Sequence, residues 1–443
     1  MDKMNEANWA AQTVRRASPC GGCEAEPRMA IVYHPLRPGY NSCMAATQRS
    51  FRIRCYPNPA QIRMLNQWYG SARWLWNWAL SSRTKAYQRR KQSVTGIDIS
   101  RRLTKLKTRP RFAWLAKPPA TCLTQTLRDQ DAAFAHFFRR VKAGETPGYP
   151  RFRSRHDNTV SLRFQGVSKA KWLGGTVSLP KFGRVKLAET LPAVVCPDTV
   201  TLKREADGRY YVTFGTMVEI ALLPVTASVI GVDLGLKHLA VLSSGEKIEN
   251  PRHLNNRLRY LRQQQRCLAR RQKGSKRREK QRLRVARAHS TVANQRRYAL
   301  HALTTRLIRE HQIICIENLA VRNMIKNPRL SRHIADAGWG EFRRMIEYKA
   351  RWYGRTVIAV DRWFPSSKTC SKCSHKLDEL RLDIRQWTCP KCGTGHDRDI
   401  NAAQNLLVAA MHQLAPREAG DLRAEAADID AADEARTGQI ASE

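Results

Sequence analysis

Two Cys-x-x-Cys pairs near the carboxyl end are the most specific chemical signal in this sequence. Cys370 and Cys373 form the first pair, and Cys389 and Cys392 form the second after 15 intervening residues. Each pair can form a turn that directs two thiolates at one ion, and two such turns complete a closed tetrahedral Zn²⁺ site. Because a closed site has no open coordination position, we expect its zinc to be structural.

Two histidines close to these cysteines are alternative zinc ligands. His375 follows the first pair and His396 follows the second, but four thiolates already complete a tetrahedral site and leave no need for either. Trp387 and Thr388 have the composition of a short strand, and Gly393 permits a tight turn after the second pair. The pattern predicts a zinc ribbon over residues 369–393.

Three carboxylate positions lie in segments that do not favour a charge. Asp233 lies in an apolar strand-like segment, Glu317 ends the apolar segment that begins at His311, and Asp397 and Asp399 open a helix directly after the ribbon. An aspartate in a buried strand is unfavourable unless a charge or a metal compensates it. Each position also has an ordinary interpretation on its own, namely a turn cap, a strand end that meets water, or a helix N-cap.

Taken together, these carboxylates suit two-metal hydrolysis of phosphodiester bonds. Two Mg²⁺ ions about 4 Å apart need anionic oxygens to hold them, one ion activating water and the other stabilising the leaving oxygen. The metals then offset the repulsion among the carboxylates. The set therefore predicts a magnesium-dependent nuclease.

The charge of the chain indicates a polyanionic partner. Its 443 residues contain 79 Lys+Arg against 37 Asp+Glu, a formal net charge of +42. Such an excess repels itself unless a polyanion neutralises it, and nucleic acid is the partner that this chemistry favours. The densest positive charge lies in residues 252–298. A solvated helix face is the alternative there, but like charges at i, i+4 destabilise an isolated helix.

The composition argues against a membrane protein. The sequence has no uninterrupted run of about 20 apolar residues and no secretory signal. Paired cysteines at this spacing indicate metal binding rather than a disulfide framework. We therefore expect a soluble, cytoplasmic protein with no membrane partner.

The segments that must position these residues change character along the chain. Ser50–Tyr56 alternates apolar and basic residues, which predicts a strand, and Trp68–Trp78 has the spacing of an amphipathic helix. The tryptophans of that helix could stack on bases, but their spacing builds an apolar stripe, so core packing is the preferred interpretation. Further helices are predicted over 82–107 and 120–142, and short strands of a β-barrel or sandwich over 151–222.

Six motifs resemble the insertion-sequence-encoded TnpB (OrfB) proteins, a transposase-like family related to the miniature type V CRISPR effectors. They are Arg52-Ile-Arg-Cys-Tyr-Pro, Gly148-Tyr-Pro-Arg-Phe, Gly231-Val-Asp-Leu-Gly, Ile316-Glu-Asn-Leu, the cysteine ribbon with its preceding Ser366-Ser-Lys-Thr-Cys, and Asp397-Arg-Asp-Ile-Asn-Ala-Ala-Gln-Asn. The resemblance covers roughly residues 50–410, and the last three motifs in this order are hard to meet by chance.

The resemblance implies an RNA-guided DNA endonuclease that binds a transposon-derived guide RNA and cuts a DNA target beside a short transposon-associated motif. It implies that Asp233, Glu317 and Asp399 are catalytic and bind magnesium, and that the cysteines bind zinc. Asp399 is preferred over Asp397 because it stands two residues before Asn401-Ala-Ala, as in the family pattern.

The expected architecture is a multidomain α/β protein: a β-barrel with an inserted helical block, then an RNase H-like (RuvC) nuclease domain that carries the zinc ribbon. A chain of this length exceeds a single hydrophobic core, which usually stops growing at about 250–300 residues. The predicted segments are a disordered extension over 1–48, the β-barrel over 49–226 with its helical block at about 60–145, the nuclease domain over 227–368, the ribbon over 369–393, the last nuclease helix over 394–410 and an acidic disordered tail over 411–443.

Two other functions fit the same residues. A DDE-like transposase that joins DNA strands itself would also use three carboxylates, and a catalytically idle nucleic-acid-binding regulator could carry them as remnants. The sequence shows no isolated amino-terminal DNA-recognition domain, and the placement of the ribbon fits the guided nucleases better. For each function we expect a bacterial or archaeal protein associated with the nucleoid.

Overall fold

The computed structural model describes residues 44–157, 159–167, 172–190, 197, 199–381 and 383–414. These residues form two compact units. The first contains Ala46–Val218 and Lys276–Arg287, and the second contains Glu219–Ser275 and the described chain from Ala288 onward. Most of the predicted extension and most of the predicted acidic tail lie outside the described residues.

A seven-stranded sheet is the centre of the first unit. Its strand order is β2-β6-β7-β1-β5-β4-β3. The strands are β1 (Met44–Tyr56), β2 (Val160–Phe164), β3 (Trp172–Leu173), β4 (Thr176–Leu179), β5 (Gly183–Leu187), β6 (Val200–Arg204) and β7 (Tyr210–Ala221). β1 begins at Met44, inside the predicted extension over 1–48, which is therefore too long at its end. The described strands form a linear order that ends at β2 and β3, so closure into a barrel stays a prediction.

A helical block lies between β1 and β2 in the chain. It consists of α1 (Pro59–Arg90), α2 (Gly96–Lys107), a 3-10 helix (Pro110–Ala116) and α3 (Ala120–Lys142). Asn58 caps α1 in a reciprocal capping box with Gln61, and Pro59 occupies the first turn, where its missing N–H costs nothing. Leu65 and Trp68 of α1 pack against the sheet, whereas Leu75 packs against the core shared with α2 and α3.

The structure corrects one predicted helix and confirms another. The helix predicted over 82–107 is two helices, because α1 continues to Arg90 and Lys91 then adopts a left-handed conformation with φ 53°. A second capping box between Thr95 and Asp98 begins α2. The helix predicted over 120–142 is confirmed as α3.

A five-stranded mixed sheet is the centre of the second unit, with the order β10-β9-β8-β11-β12. Its strands are β8 (Val229–Asp233), β9 (His238–Leu242), β10 (Lys247–Glu249), β11 (Ile313–Glu317) and β12 (Thr356–Val360). β8, β11 and β12 are parallel to one another, while β9 pairs antiparallel with β8 and with β10. The second unit is therefore a mixed α/β structure.

Helices cover both faces of this sheet. They are α4 (His253–Ala269), α5 (Lys276–Glu310), α6 (Val321–Met324), α7 (Ser331–Ala337), α8 (Trp339–Tyr353) and α9, which runs over 398–414. Ile314 and Ile316 share a core with α5 and α8, whereas Cys315 faces Leu406 of α9 on the other side. This alternation is expected of a central strand covered on both faces. No helix among the described residues has the length and apolarity needed to cross a membrane.

Candidate functional site

Asp233 and Glu317 lie at the carboxyl ends of two adjacent parallel strands. β8 ends at Asp233 and β11 ends at Glu317. Val232 is paired in register with Ile316, so the two carboxylates, each one residue further on, lie side by side. Ligands of open α/β sheets bind at this end of the strands.

Both carboxylates lie on the face of the sheet that α9 covers, because side chains two residues apart in a strand point to the same face. Gly231 is on that face in β8, and Cys315 is on it in β11. A Cβ at Gly231 would lie 2.0 Å from the carbonyl oxygen of Ala403 and 3.1 Å from Cβ of Leu407. Glycine at position 231 therefore allows the close approach of α9 to the strand that carries Asp233.

The two aspartates at the start of α9 have different contacts. Asp397 is the N-cap, since its Oδ1 accepts hydrogen bonds from the backbone N–H groups of Asp399 at 3.1 Å and Ile400 at 3.2 Å. Its other oxygen lies 2.6 Å from Nζ of Lys247. Asp399 instead faces Arg385 at 3.3 Å. Capping thus belongs to Asp397, and this leaves Asp399 available for chemistry.

The electrostatics show that the three predicted residues share one environment. Burial raises the pKa of Asp233 to about 7, and the negative charges of Glu317 and Asp399 add to this increase, while Arg398 and Arg385 oppose it. Burial also raises the pKa of Glu317. A bound cation would relieve this repulsion.

The oxygen atoms of these three residues are more widely spaced than the sulfur atoms of the ribbon. Within the described part of the chain, the four cysteines are the only group of His, Cys, Asp or Glu ligands found whose atoms all lie within 4.8 Å of one another. Mg²⁺ prefers hard oxygen ligands, keeps several waters and is commonly bound through one or two carboxylates. The three carboxylates therefore fit magnesium by their chemistry and their charge.

A cavity of about 450 Å³ opens beside Glu317 and has a basic wall. Arg322, Arg343 and Arg362 line it. Arg343 donates hydrogen bonds to the side-chain oxygen of Asn318 and, at 2.8 Å, to Glu347. The sequence analysis did not identify these arginines, because nothing local distinguishes them among so many basic residues.

The four cysteines of the ribbon form one cluster, as their spacing predicts. Their ligand atoms all lie within 4.8 Å of one another. Sγ of Cys370 lies 3.7 Å from Sγ of Cys392, and Sγ of Cys373 lies 3.6 Å from Sγ of Cys389. Four soft sulfur donors at this spacing suit a tetrahedral structural ion, so the cluster could hold zinc.

Neighbouring groups support the thiolates without replacing them. Nε2 of His396 lies 3.0 Å from Sγ of Cys370, and burial lowers the pKa of this histidine. A neutral histidine can donate a hydrogen bond to a thiolate. The side chain and backbone of Thr394 lower the pKa of Cys392 to about 6. His375 contributes its backbone carbonyl, which accepts the N–H of Cys370 at 2.8 Å.

Two asparagines of α9 hold the first turn of the ribbon, and we call Asn401 and Asn405 the amide clamp. Oδ1 of Asn401 accepts the N–H of Ser371 at 2.9 Å, and its Nδ2 donates to the carbonyl of Thr369 at 2.7 Å. Nδ2 of Asn405 donates to the carbonyl of Ser366 at 2.7 Å. Both asparagines are buried. The sequence analysis gave them no role, although their i, i+4 spacing places them on one helix face.

Three families match parts of the chain. Residues 44–92 match a "Helix-turn-helix domain", residues 218–328 a "Probable transposase", and residues 339–406 a "Cas12f1-like, TNB domain". In the structure, the first of these segments consists of β1 and the uninterrupted helix α1, and it belongs to the first compact unit.

Two curated relatives are similar over most of their length. A "Putative RNA-guided DNA endonuclease" of Streptomyces pristinaespiralis is 39% identical over 83% of this chain and 90% of its own. The "Putative RNA-guided DNA endonuclease InsQ" of Escherichia coli (strain K12) is 30% identical over 83% of this chain and 93% of its own.

A solved structure has the same fold. The Cas12f1 chain in a cryo-EM structure of the Cas12f1-sgRNA-target DNA complex superposes with a TM-score of 0.50 and 11% identity. The match covers 82% of this chain and 99% of that one.

Proposed function

The chain belongs to the TnpB (OrfB) family of insertion-sequence proteins, and from that premise we propose that it is a transposon-associated, RNA-guided DNA endonuclease. The observation that carries this proposal is the convergence of Asp233, Glu317 and Asp399 at one edge of the mixed sheet. Isolated carboxylates on a basic chain have no such arrangement.

We assign the second unit to the RNase H-like (RuvC) type. The assignment rests on three parallel strands flanked by an antiparallel pair, with acids at the ends of β8 and β11 and at the start of α9. The three acids come from segments far apart in the chain, and the packing of α9 on the sheet brings them together.

Asp233, Glu317 and Asp399 would hold Mg²⁺, which when bound supplies an activated water and stabilises the leaving oxygen. The protein itself contributes the basic wall of the adjacent cavity. Arg322, Arg343 and Arg362 bind the phosphate oxygens of the DNA strand through charge-assisted hydrogen bonds. Asn318 and Glu347 fix the Arg343 guanidinium in advance, so little side-chain entropy is lost when it binds a phosphate. The four cysteines would hold Zn²⁺ and keep the ribbon folded.

Guide RNA and target DNA account for the charge of the chain. α4 and the first turns of α5 carry many exposed basic residues, among them Arg257, Arg262, Arg266, Arg270, Lys276 and Arg277. We propose that these residues contact phosphates, while base pairing between the guide and the target selects the sequence. The protein would act on DNA of the nucleoid in the cytoplasm.

Plasmid cleavage tests the proposed function. The full chain, purified with its co-bound RNA, is incubated with magnesium and a plasmid library that carries the sequence matching that RNA beside randomised flanking motifs. We expect linear product from the wild type and none from Asp233→Ala. Glu249→Ala, which removes an exposed carboxylate from the edge of the same sheet, is the matched control and should cut normally.

The products also separate the alternatives. A DDE-like transposase would give joined strands, and a regulator would leave the plasmid intact. If the wild type cuts no plasmid with any flanking motif and behaves like Asp233→Ala, the proposed function is wrong.

A further inference from the structure

The first compact unit contains a second cavity, of about 370 Å³, that the proposed chemistry does not use. It lies beside α1 and the 3-10 helix. Its lining includes Gln67, Gly70, Arg73, Trp74, Trp114 and Lys117. The lining contains no acidic residue.

Two indole rings of this cavity belong to an aromatic cluster that is only half buried. Trp74 and Trp114 meet edge to face, with ring centroids 5.5 Å apart and an interplanar angle of 82°. Trp74 also stacks on Trp78 at 5.6 Å and 9°. Trp68 and Trp76, by contrast, are buried in the core. Core packing therefore explains part of the tryptophan stripe, whereas Trp74 and Trp114 also line an accessible space.

A glycine in the middle of α1 keeps this space open. Glycine destabilises a helix interior relative to alanine, so its presence there needs a reason. Gly70 adopts no left-handed conformation, and a Cβ built at this position would meet no atom within 4 Å. Neither backbone geometry nor close packing explains Gly70, while a ligand that occupies the cavity would.

The rim of the cavity carries cations and an amide. No carboxylate among the described residues pairs with Arg73 or Lys117 in an ion pair. The Gln67 side chain is exposed and can both donate and accept hydrogen bonds. Aromatic rings with adjacent cations form the usual binding site for a base of single-stranded nucleic acid, where the rings stack on the base and the cations bind its phosphates.

We propose that this cavity binds an unpaired nucleobase of the guide RNA, with the base against Trp74 and Trp114 and the flanking phosphates at Arg73 and Lys117. The proposal rests on the proposed function. RNA is the occupant that we favour, because target DNA is paired with the guide in the complex, whereas the loops and bulges of a folded RNA expose single bases to aromatic side chains.

A binding experiment tests the proposal without any cleavage. The full chain is freed of nucleic acid in high salt and titrated, without magnesium, into a fluorescent oligouridylate, an RNA duplex of the same length and an oligothymidylate. The test variant is Gly70→Leu, whose side chain would fill the cavity. Gln88→Leu, which adds a leucine at an exposed position of the same helix, is the matched control.

We expect Gly70→Leu to lose about tenfold in affinity for the oligouridylate, which corresponds to the loss of one stacked base. Affinity for the duplex should stay within about twofold, because phosphate contacts are unchanged. Trp114→Ala should show the same selective loss, and Trp114→Phe should restore most of the binding.

Three outcomes would overturn the proposal. Gly70→Leu could bind the oligouridylate as tightly as Gln88→Leu does, or it could lose affinity for the oligouridylate and the duplex equally. A loss confined to the oligothymidylate would assign the cavity to DNA instead. The cleavage assay is independent of these results: a chain that shows the selective loss but cuts no plasmid contradicts only the proposed nuclease, and normal cleavage with unchanged binding contradicts only this proposal.

Discussion

The cysteine cluster and the carboxylate set are two candidate metal sites in one unit, and they are built in opposite ways. The four thiolates come from two short turns of one ribbon, and their sulfur atoms all lie within 4.8 Å of one another. The three carboxylates come from β8, β11 and α9, and arginines lie beside them. Local turn geometry is enough for the first site, whereas the second depends on the packing of a helix against a sheet.

The two sites are nevertheless connected. α9 carries Asp399 in its first turn and the amide clamp in its second, and the clamp binds the backbone next to Cys370. Asp397 caps the same helix. The ribbon therefore helps to fix the position of a candidate catalytic residue, although its cysteines are ligands of a separate site.

Removing one thiolate should have the largest effect on this pair of sites. Structural zinc contributes about 10–16 kcal/mol in zinc-finger peptides, so Cys392→Ser should lose the ion and unfold the ribbon. We expect bound zinc to fall to near zero in metal analysis and plasmid cleavage to fall by at least about a hundredfold. Cys267→Ser, outside the cluster, should keep both. Full cleavage by a zinc-free Cys392→Ser protein would show that the sites are independent.

Asp233→Asn should separate stability from activity. The pKa of Asp233 is raised from 3.8 to about 7, so between these values the folded state binds more protons than the unfolded state. The free energy of unfolding therefore falls as pH rises from about 4 to 7. At pH 8 the ionised carboxylate costs up to about 4 kcal/mol.

In magnesium-free buffer, Asp233→Asn should therefore unfold at a higher temperature than the wild type at pH 8. The difference should shrink towards pH 4, and the variant should not cut DNA. Glu249→Gln is the control and should leave the pH profile unchanged. A wild type more stable than Asp233→Asn at pH 8 would contradict the assigned burial of this carboxylate.

Gly231→Ala tests the packing on which the carboxylate set depends. The new methyl group would overlap the carbonyl oxygen of Ala403, and overpacking of this kind costs about 1–3 kcal/mol. We expect a lower midpoint of thermal unfolding and weaker cleavage with unchanged zinc content. Gly70→Ala, whose Cβ meets nothing within 4 Å, should instead raise the midpoint by up to about 1 kcal/mol of stability. Equal effects of the two substitutions would refute the steric argument.

The difference between the sites also explains what the sequence could predict. The cysteine grouping was predictable because its spacing is local, and α3 was predictable because apolar residues recur at helical spacing. The contact between Arg385 and Asp399 and the basic wall of the cavity depend on tertiary packing, and no local pattern marks them. The true extent of α1 was available in the sequence, since Asn58-Pro-Ala-Gln61 is a capping box followed by a helical pattern.

Substitutions in the amide clamp give the smallest expected effect and the sharpest test of the connection. Asn401 and Asn405 share the carbonyl groups of Ser366 and Thr369 as acceptors, so either residue can partly replace the other. Asn401→Ala alone should therefore cost less than the double variant, and the two single effects should not add. Each lost buried hydrogen bond costs about 1–3 kcal/mol, enough to shift the ribbon against α9 but not to release an ion held by four thiolates.

We expect the double variant Asn401→Ala, Asn405→Ala to keep its zinc and to lose about tenfold in the rate of plasmid cleavage. His412→Ala, at an exposed position of the same helix, should cut normally. Zinc loss in the double variant would mean that the clamp stabilises the ribbon itself. Normal cleavage with zinc retained would mean that β8 and β11 position Asp399 through α9 without help from the ribbon, and the loss of activity in Cys392→Ser would then need another cause.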